Sequence, residues 1–157
     1  MADTFRYRYG ATHPVMAAID EATVVEIGDL LYLDTDDAKP AASLSDQGSE
    51  AANQEAFHDG FLGVAMQHSP SGRAEEIRVA TSGIFEFASP SSIFELGQLI
   101  GIDENASGDG LLSQTVAPVA NPNLAIGRCA QRHSSSSTKV LVAIESTVLT
   151  GGPQAAA

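Results

Sequence analysis

The chain has one cysteine and no tryptophan, and it is short of cations: 8 Lys and Arg stand against 20 Asp and Glu, for a formal net charge of −12. A lone Cys129 excludes an internal disulfide and a thiolate metal cluster, so no covalent staple supports the fold, and assembly in a reducing compartment is expected. The shortage of Lys and Arg excludes the concentrated basic footprint that a phosphate backbone requires, so nucleic acid and anionic membrane surfaces are not expected as partners. No stretch approaches the roughly 18 consecutive apolar residues of a membrane span, and the segment Met1 to Tyr9 lacks the apolar core of a signal peptide. Long runs of helical apolar period are also missing.

What is present is a 157-residue chain that is 43% hydrophobic, although 24 of those residues are alanine. That suffices for one modest core. The acid is uneven: 12 acidic and 3 basic side chains lie in residues 1–60, which therefore hold three-quarters of the net charge.

Apolar residues come in short bursts rich in Val, Ile, Leu and Phe, bracketed by Gly, Asp, Ser, Asn or Pro, which is strand punctuation. Strands are read near 23–27, 29–34, 61–67, 76–81, 83–88, 98–103, 111–117, 124–131 and 139–148. The best helical candidate is Glu50 to Phe57, one or two turns inside a loop. The class is all-β: a compact β-barrel or sandwich built from two duplicated β units, with an extended N-terminal arm.

The duplication is visible when the chain is slid against itself. Val25-Glu-Ile-Gly-Asp-Leu-Leu-Tyr-Leu-Asp34 matches Phe94-Glu-Leu-Gly-Gln-Leu-Ile-Gly-Ile-Asp103, Leu62 to Gln67 matches Ile126 to Gln131, and Ile77 to Ala80 matches Val140 to Ala143. Three blocks recur in one order. The units are placed at about 24–88 and 93–148, inside a single domain over 23–149, and are expected to close around a shared core. Gly28, Gly63, Gly97 and Gly127 recur in pairs and are taken as structural turn glycines, with Gly63 and Gly127 also letting a neighbouring strand come close. The acidic loop Thr35 to Asp59, which the second unit does not copy, is expected to be a solvent-facing elaboration.

Both ends lie outside the duplication. Residues 1–22 read as an extended arm in which Phe5, Tyr7 and Tyr9 share one face and Arg6 and Arg8 the other. Aromatics and arginines gathered near a free end match interface anchors; the competing reading is an ordinary edge strand of the same body. Residues 150–157 read as a flexible tail.

Chemistry is thinly represented. There is no Gly-x-Ser-x-Gly elbow, no phosphate-binding Gly-rich loop, no His-Glu-x-x-His and no paired Cys. Asp34 to Asp37 opens like a calcium loop but lacks its later Gly and Glu, and so reads as a solvated turn. Glu26 and Glu95 read as outward strand-end acids, and Cys129, matched by Ala65, as a small buried side chain. His68 and His133 fall one column apart in the repeats, the one arrangement that would suit a metal. The expectation is no metal, no cofactor and no catalytic residue.

The ordered set Ile27-Gly-Asp-Leu-Leu-Tyr, Leu62-Gly-Val-Ala, Ile77 to Phe85, Leu96-Gly-Gln-Leu-Ile, Ala125 to Ala130 and Val140 to Ile144 resembles the small head-decoration, or capsid cement, proteins of tailed bacteriophages, over residues 24–148. The arm and the acidic loop are longer than in the family's simplest members. The resemblance implies a non-enzymatic structural virion protein, made in the host cytoplasm. It would bind the outer capsid surface, contact the major capsid protein and further copies of itself as a homotrimer, and cement neighbouring capsomers. Phe5, Arg6, Tyr7, Arg8 and Tyr9 are the expected capsid or neighbour contact. Two alternatives stay open: a small β-barrel enzyme or ligand-binding protein with a site between the repeats near Gln67, Gln131, His68 and His133, and an interaction module with no viral role.

Overall fold

A computed structural model describes residues 3–154. The sequence duplication becomes two barrels of identical pairing. The first contains β2 (Val15–Ile19), β3 (Leu30–Asp34), β4 (Asp37–Pro40), β5 (Phe61–Ala65) and β6 (Glu75–Ala80), closed in the order β2-β4-β3-β5-β6. The second contains β7 (Ser82–Phe94), β8 (Leu99–Glu104), β9 (Leu111–Pro118), β10 (Ala125–Cys129) and β11 (His133–Glu145), in the order β7-β11-β10-β8-β9, and β9 returns to β7 to close it. In both units the first strand runs parallel to the third, Ala18 opposite Asp37 and Ala88 opposite Thr115, while the remaining pairs are antiparallel.

The correspondence extends to single hydrogen bonds. Gly28 N–H donates to Ala65 O at 3.0 Å and Gly97 N–H to Cys129 O at 2.8 Å; Ala65 N–H donates to Asp29 O at 2.9 Å and Cys129 N–H to Gln98 O at 2.8 Å. The Asp29 carboxylate accepts from Glu26 N–H at 2.9 Å, and the Gln98 amide oxygen accepts from Glu95 N–H at 3.1 Å. One turn, repeated, is held in both units by a side-chain acceptor on the residue after the glycine.

The all-β class and the two duplicated units stand; each unit closes on itself within the chain, where one barrel or sandwich around a shared core was expected. The interiors use matched positions: Leu31 and Ile100, Leu62 and Ile126, Ala65 and Cys129, Ile77 and Val140, Val79 and Val142 are all buried. The boundaries move accordingly. β2 lies in what was read as arm, because Val15 to Ile19 pairs residue by residue with β6. Residues 83–88, read as the end of the first unit, begin the second. The Val25 region is an isolated bridge to Ser69 and not a strand.

Two apolar clusters result. One fills the first barrel with aliphatic side chains, Ile19, Leu31, Leu62 and Ile77 packed beside smaller ones such as Ala17, Ala38, Val25 and Ala65, and it holds no aromatic ring. The other fills the second barrel and continues into the join, taking Leu30, Tyr32, Phe61 and Val64 from the outer face of the first. β3 thus buries Leu31 inward and Leu30 and Tyr32 against the neighbour, so both faces are apolar, as for any strand covered on two sides.

The segment 35–59 is solvent-facing only in part, chiefly over residues 42–51. After the hairpin turn at Asp34 to Asp37, where Thr35 has φ +60° and Lys39 pairs with Asp34 at 2.8 Å, the chain forms a 3₁₀ turn at Ala41–Ser43 and then α1 (Glu50–Gly60). Ser49 caps α1 by accepting from Ala52 N–H, and Glu50 at the first turn suits the helix dipole. α1 wedges between the units: Phe57 is fully buried against Tyr32 and Phe61, Gln54 donates to Ile102 O at 2.9 Å, and the His58 ring nitrogen Nδ1 lies 2.7 Å from Ala125 O. Its acids remain on the outside while Asn53, Gln54, Phe57 and His58 dock, so charge density alone misreads the segment.

The C-terminal segment is also packed through Gln154. After α2 (Thr147–Thr150), Gly151 caps the helix at φ +86°, Gly152 and Pro153 are buried, and the Arg128 guanidinium donates to Gln154 O. The remaining tail, 155–157, lies outside the described residues. No helix among the described residues is long and apolar enough to cross a membrane.

Candidate functional site: the docked arm

The arm folds back on its own body. β1 (Tyr7–Tyr9) pairs antiparallel with β7, Tyr7 opposite Phe85 and Tyr9 opposite Ile84, so the edge-strand reading is the one the structure adopts. It covers a small apolar hollow of about 50 Å³ at the join, walled by Ile27, Gly28, Val64, Met66 and Phe85.

Three sets of contacts hold it. At the start, Asp3 Oδ1 accepts from Ile27 N–H at 2.8 Å and lies 3.2 Å from His68 Nδ1; Glu26 Oε2 lies 3.1 Å from the same nitrogen, and Thr4 N–H donates to Ile27 O at 2.8 Å. In the middle, Arg6 donates from Nε and Nη2 to Gln114 Oε1 at 3.1 and 2.9 Å, with its guanidinium carbon 5.8 Å from the centre of the Phe87 ring. Gln114, fully buried, donates in turn to Asp29 Oδ1 at 2.8 Å. Asp29 can only accept, so it fixes the Gln114 amide with its oxygen toward Arg6. At the end, Tyr7 meets Phe85 edge to face with centroids 5.6 Å apart, and Arg8 pairs with Glu86 at 2.9 Å.

The electrostatics follow from these contacts. The Ile27 N–H holds the Asp3 carboxyl below its ordinary range, and hydrogen bonding to Asp3 raises the His68 pKa. Hydrogen bonding with Asp3 raises the Glu26 pKa, since two adjacent carboxyls favour one retained proton. Burial raises the Asp29 carboxyl and lowers the Arg6 guanidinium. The donor atoms of Asp3, Glu26 and His68 lie within 4.8 Å of one another, the spacing of a three-point cation site, with Asp3 and His68 exposed to solvent.

The expected contact residues therefore divide. Arg6, Tyr7 and Arg8 hold the arm to the body, and Phe5 (72% exposed) and Tyr9 (54%) face outward. The four glycines divide as well. Gly28 and Gly97 have φ of +96° and +85° and are turn glycines. Gly63 and Gly127 lie inside β5 and β10, not in turns, and a Cβ on either would collide with the carbonyl oxygen of Ala80 or Ala143 on the adjacent strand. Their role is close strand approach.

The residues suggested for a site between the repeats are engaged separately. His68 meets Asp3 and Glu26, His133 packs edge to face on Phe94, Gln67 Oε1 accepts from Arg78 N–H at 2.6 Å, and Gln131 O accepts from Cys129 S–H at 3.0 Å. Burial raises the Cys129 thiol, as expected of an inert packed side chain. Glu95 pairs with Arg132 at 2.8 Å. Sequence reading missed Asp3, Glu86 and Gln114. Only Gln114 carried a signal: a polar residue on the same face as buried Val116, two positions on in β9.

No family model and no curated protein matches the chain. Among solved structures it is similar to the head fiber gp8.5 N base of bacteriophage phi29, with 11% identity and a TM-score of 0.45, over 91% of this chain and 99% of that one. Identity and TM-score at this level transfer neither fold nor role.

Proposed function

We propose that the protein is a non-enzymatic structural component of a tailed-phage virion that binds the outer capsid surface, cements neighbouring capsomers and works there as a homotrimer. One observation carries the reading. The ordered segments on which the resemblance to head-decoration proteins rests, residues 24–148, fall on matched turns and strands of both barrels, so the likeness follows a folded frame and not scattered residues.

The docked arm suits such a role. An edge strand is a ready template for main-chain pairing with another protein, and Phe5 and Tyr9 add apolar area where a partner would lie. Each contact is small, and a closed lattice multiplies it.

Co-sedimentation with purified phage heads tests this. The protein is expected to pellet with heads. Phe5→Ser/Tyr9→Ser, which leaves Arg6, Tyr7 and Arg8 in place, is expected to weaken retention about tenfold or more while thermal stability stays within about 0.5 kcal/mol, as for surface substitutions. A protein that never associates with heads overturns the virion reading; full retention of the double variant overturns only the role of the arm.

A further inference from the structure

The two barrels present the same turn twice, and only one copy is covered. Around Glu26 to Asp29 the arm supplies Asp3 to the Ile27 N–H and takes the Ile27 carbonyl through Thr4, with Thr4 O and Arg6 Cγ lying 2.6 and 2.9 Å from where a Gly28 Cβ would be. At the matched turn, Glu95 to Gln98, nothing lies within 4 Å of the same point on Gly97. Leu96, the counterpart of Ile27, is 71% exposed, and Ile93 beside it 53%. Among the described residues the backbone N–H and C=O of Leu96 have no partner, although the turn's internal hydrogen bonds are all made.

The charge differs too. Where the first turn has Val64 and His68, the second has Arg128 and Arg132, so two of the chain's 8 Lys and Arg flank this one turn in a protein of net charge −12. Arg128 donates to Gly97 O at 2.7 Å, and Arg132 reaches Glu95 with its side chain 60% exposed.

We propose that the Glu95 to Gln98 turn is a docking site for an extended, carboxylate-bearing segment of another protein. A backbone stretch of that partner would pair with the Leu96 N–H and C=O as Asp3 and Thr4 pair with Ile27, its carboxylate would sit between Leu96 N–H and Arg132 as Asp3 sits between Ile27 N–H and His68, and apolar side chains would cover Leu96 and Ile93. A second copy's arm is not the occupant, because Asp3, Arg6, Tyr7 and Arg8 are already engaged on their own body and a swap would uncover one turn for each one it covers. The inference rests on the internal repeat and stands or falls apart from the virion reading.

The probe is a synthetic peptide of residues 3–10, the one stretch seen to fit this kind of turn, titrated into the intact isotope-labelled protein. The expected result is millimolar binding that shifts the amide signals of Glu95 to Gln98, about tenfold weaker when the peptide carries Asp3→Asn or the protein Arg132→Glu, since one charge-assisted hydrogen bond is lost. Leu96→Ser, at an exposed position, is expected to weaken it also and to leave the melting temperature unchanged. Absence of binding at millimolar peptide, shifts confined to Ile27 to Asp29 through exchange with the resident arm, or indifference to the Asp3→Asn and Arg132→Glu changes would each overturn the proposal.

Discussion

At the scale of the residue, the paired glycines separate two effects that are usually confounded. Gly28 and Gly97 share a left-handed backbone, so alanine at either costs the conformational strain of that region, about 1–2 kcal/mol. Only at Gly28 would the methyl also meet the arm, at Thr4 O and Arg6 Cγ. Gly97→Ala is expected to lose about that strain alone, and Gly28→Ala a further 1–3 kcal/mol or so as the arm is displaced. Chemical denaturation of the two variants checks this, and equal losses would mean that the arm adds nothing to stability. The sequence alone brought these glycines together, because the repeat aligned them. It did not separate them from Gly63 and Gly127, since a glycine needed for positive φ and one needed for a close strand neighbour look alike until the neighbour is placed. Gln114 stayed hidden for a related reason: its partners Arg6 and Asp29 are 108 and 85 residues away.

At the scale of the element, the arm is a strap whose first tie depends on pH. The His68 pKa is raised, so its share of the stability is fully present below the ordinary histidine value of about 6.5 and is lost as pH climbs through the raised value. Asp3 is lowered, so its share is present above the ordinary carboxyl value and lost as pH falls through the lowered one. Glu26, raised, acts in the same direction as His68. The tie is tightest in mild acid and loosens toward alkaline pH. A nuclear magnetic resonance titration of the His68 ring is expected to give a midpoint above 6.5 that returns to about 6.5 in Asp3→Asn/Glu26→Gln; a midpoint that ignores both carboxylates would remove the tie. The second unit has Arg132 with Glu95 at the matched place, an arginine where the first has a histidine. Elements differed in how well the sequence disclosed them. β3, β5, β8 and β10 were legible as apolar bursts between turn residues. β2 was not, because Val15 to Ile19 lies outside the matched blocks and was grouped with the arm, and β4 was not, because Asp37-Ala-Lys-Pro40 has only Ala38 and Pro40 to show for its buried face, and a Pro ordinarily argues against a strand. α1 was legible as helix but three turns long where one or two were read, since its buried stripe includes Asn53, Gln54 and His58, polar residues that an apolar count passes over.

At the scale of the whole molecule, the repeat was legible and its closure was not. Two matched strand sets are compatible with one shared barrel or with two, and the choice depends on the first and third strands of each unit, of which the first unit's pair, β2 and β4, carried little signal. What the structure adds is that the two barrels are unequal partners: the first has a purely aliphatic interior, and the larger, aromatic-bearing cluster in the second draws Leu30, Tyr32, Phe61 and Val64 across the join, with Phe57 of α1 among them. A first barrel deprived of that join would expose Leu30, Tyr32, Phe61 and Val64 and keep only its own aliphatic cluster, so the units are expected to unfold together. Calorimetry should show one transition whose van't Hoff and calorimetric enthalpies agree. Phe57→Ala, which empties a fully buried site touching Tyr32 and Phe61, should lower stability by about 3–5 kcal/mol without splitting that transition, because the cavity opens in the cluster that both barrels share. Two separated transitions in the wild type, or a variant in which only one unit melts early, would show instead that each barrel stands on its own interior and that α1 is merely attached.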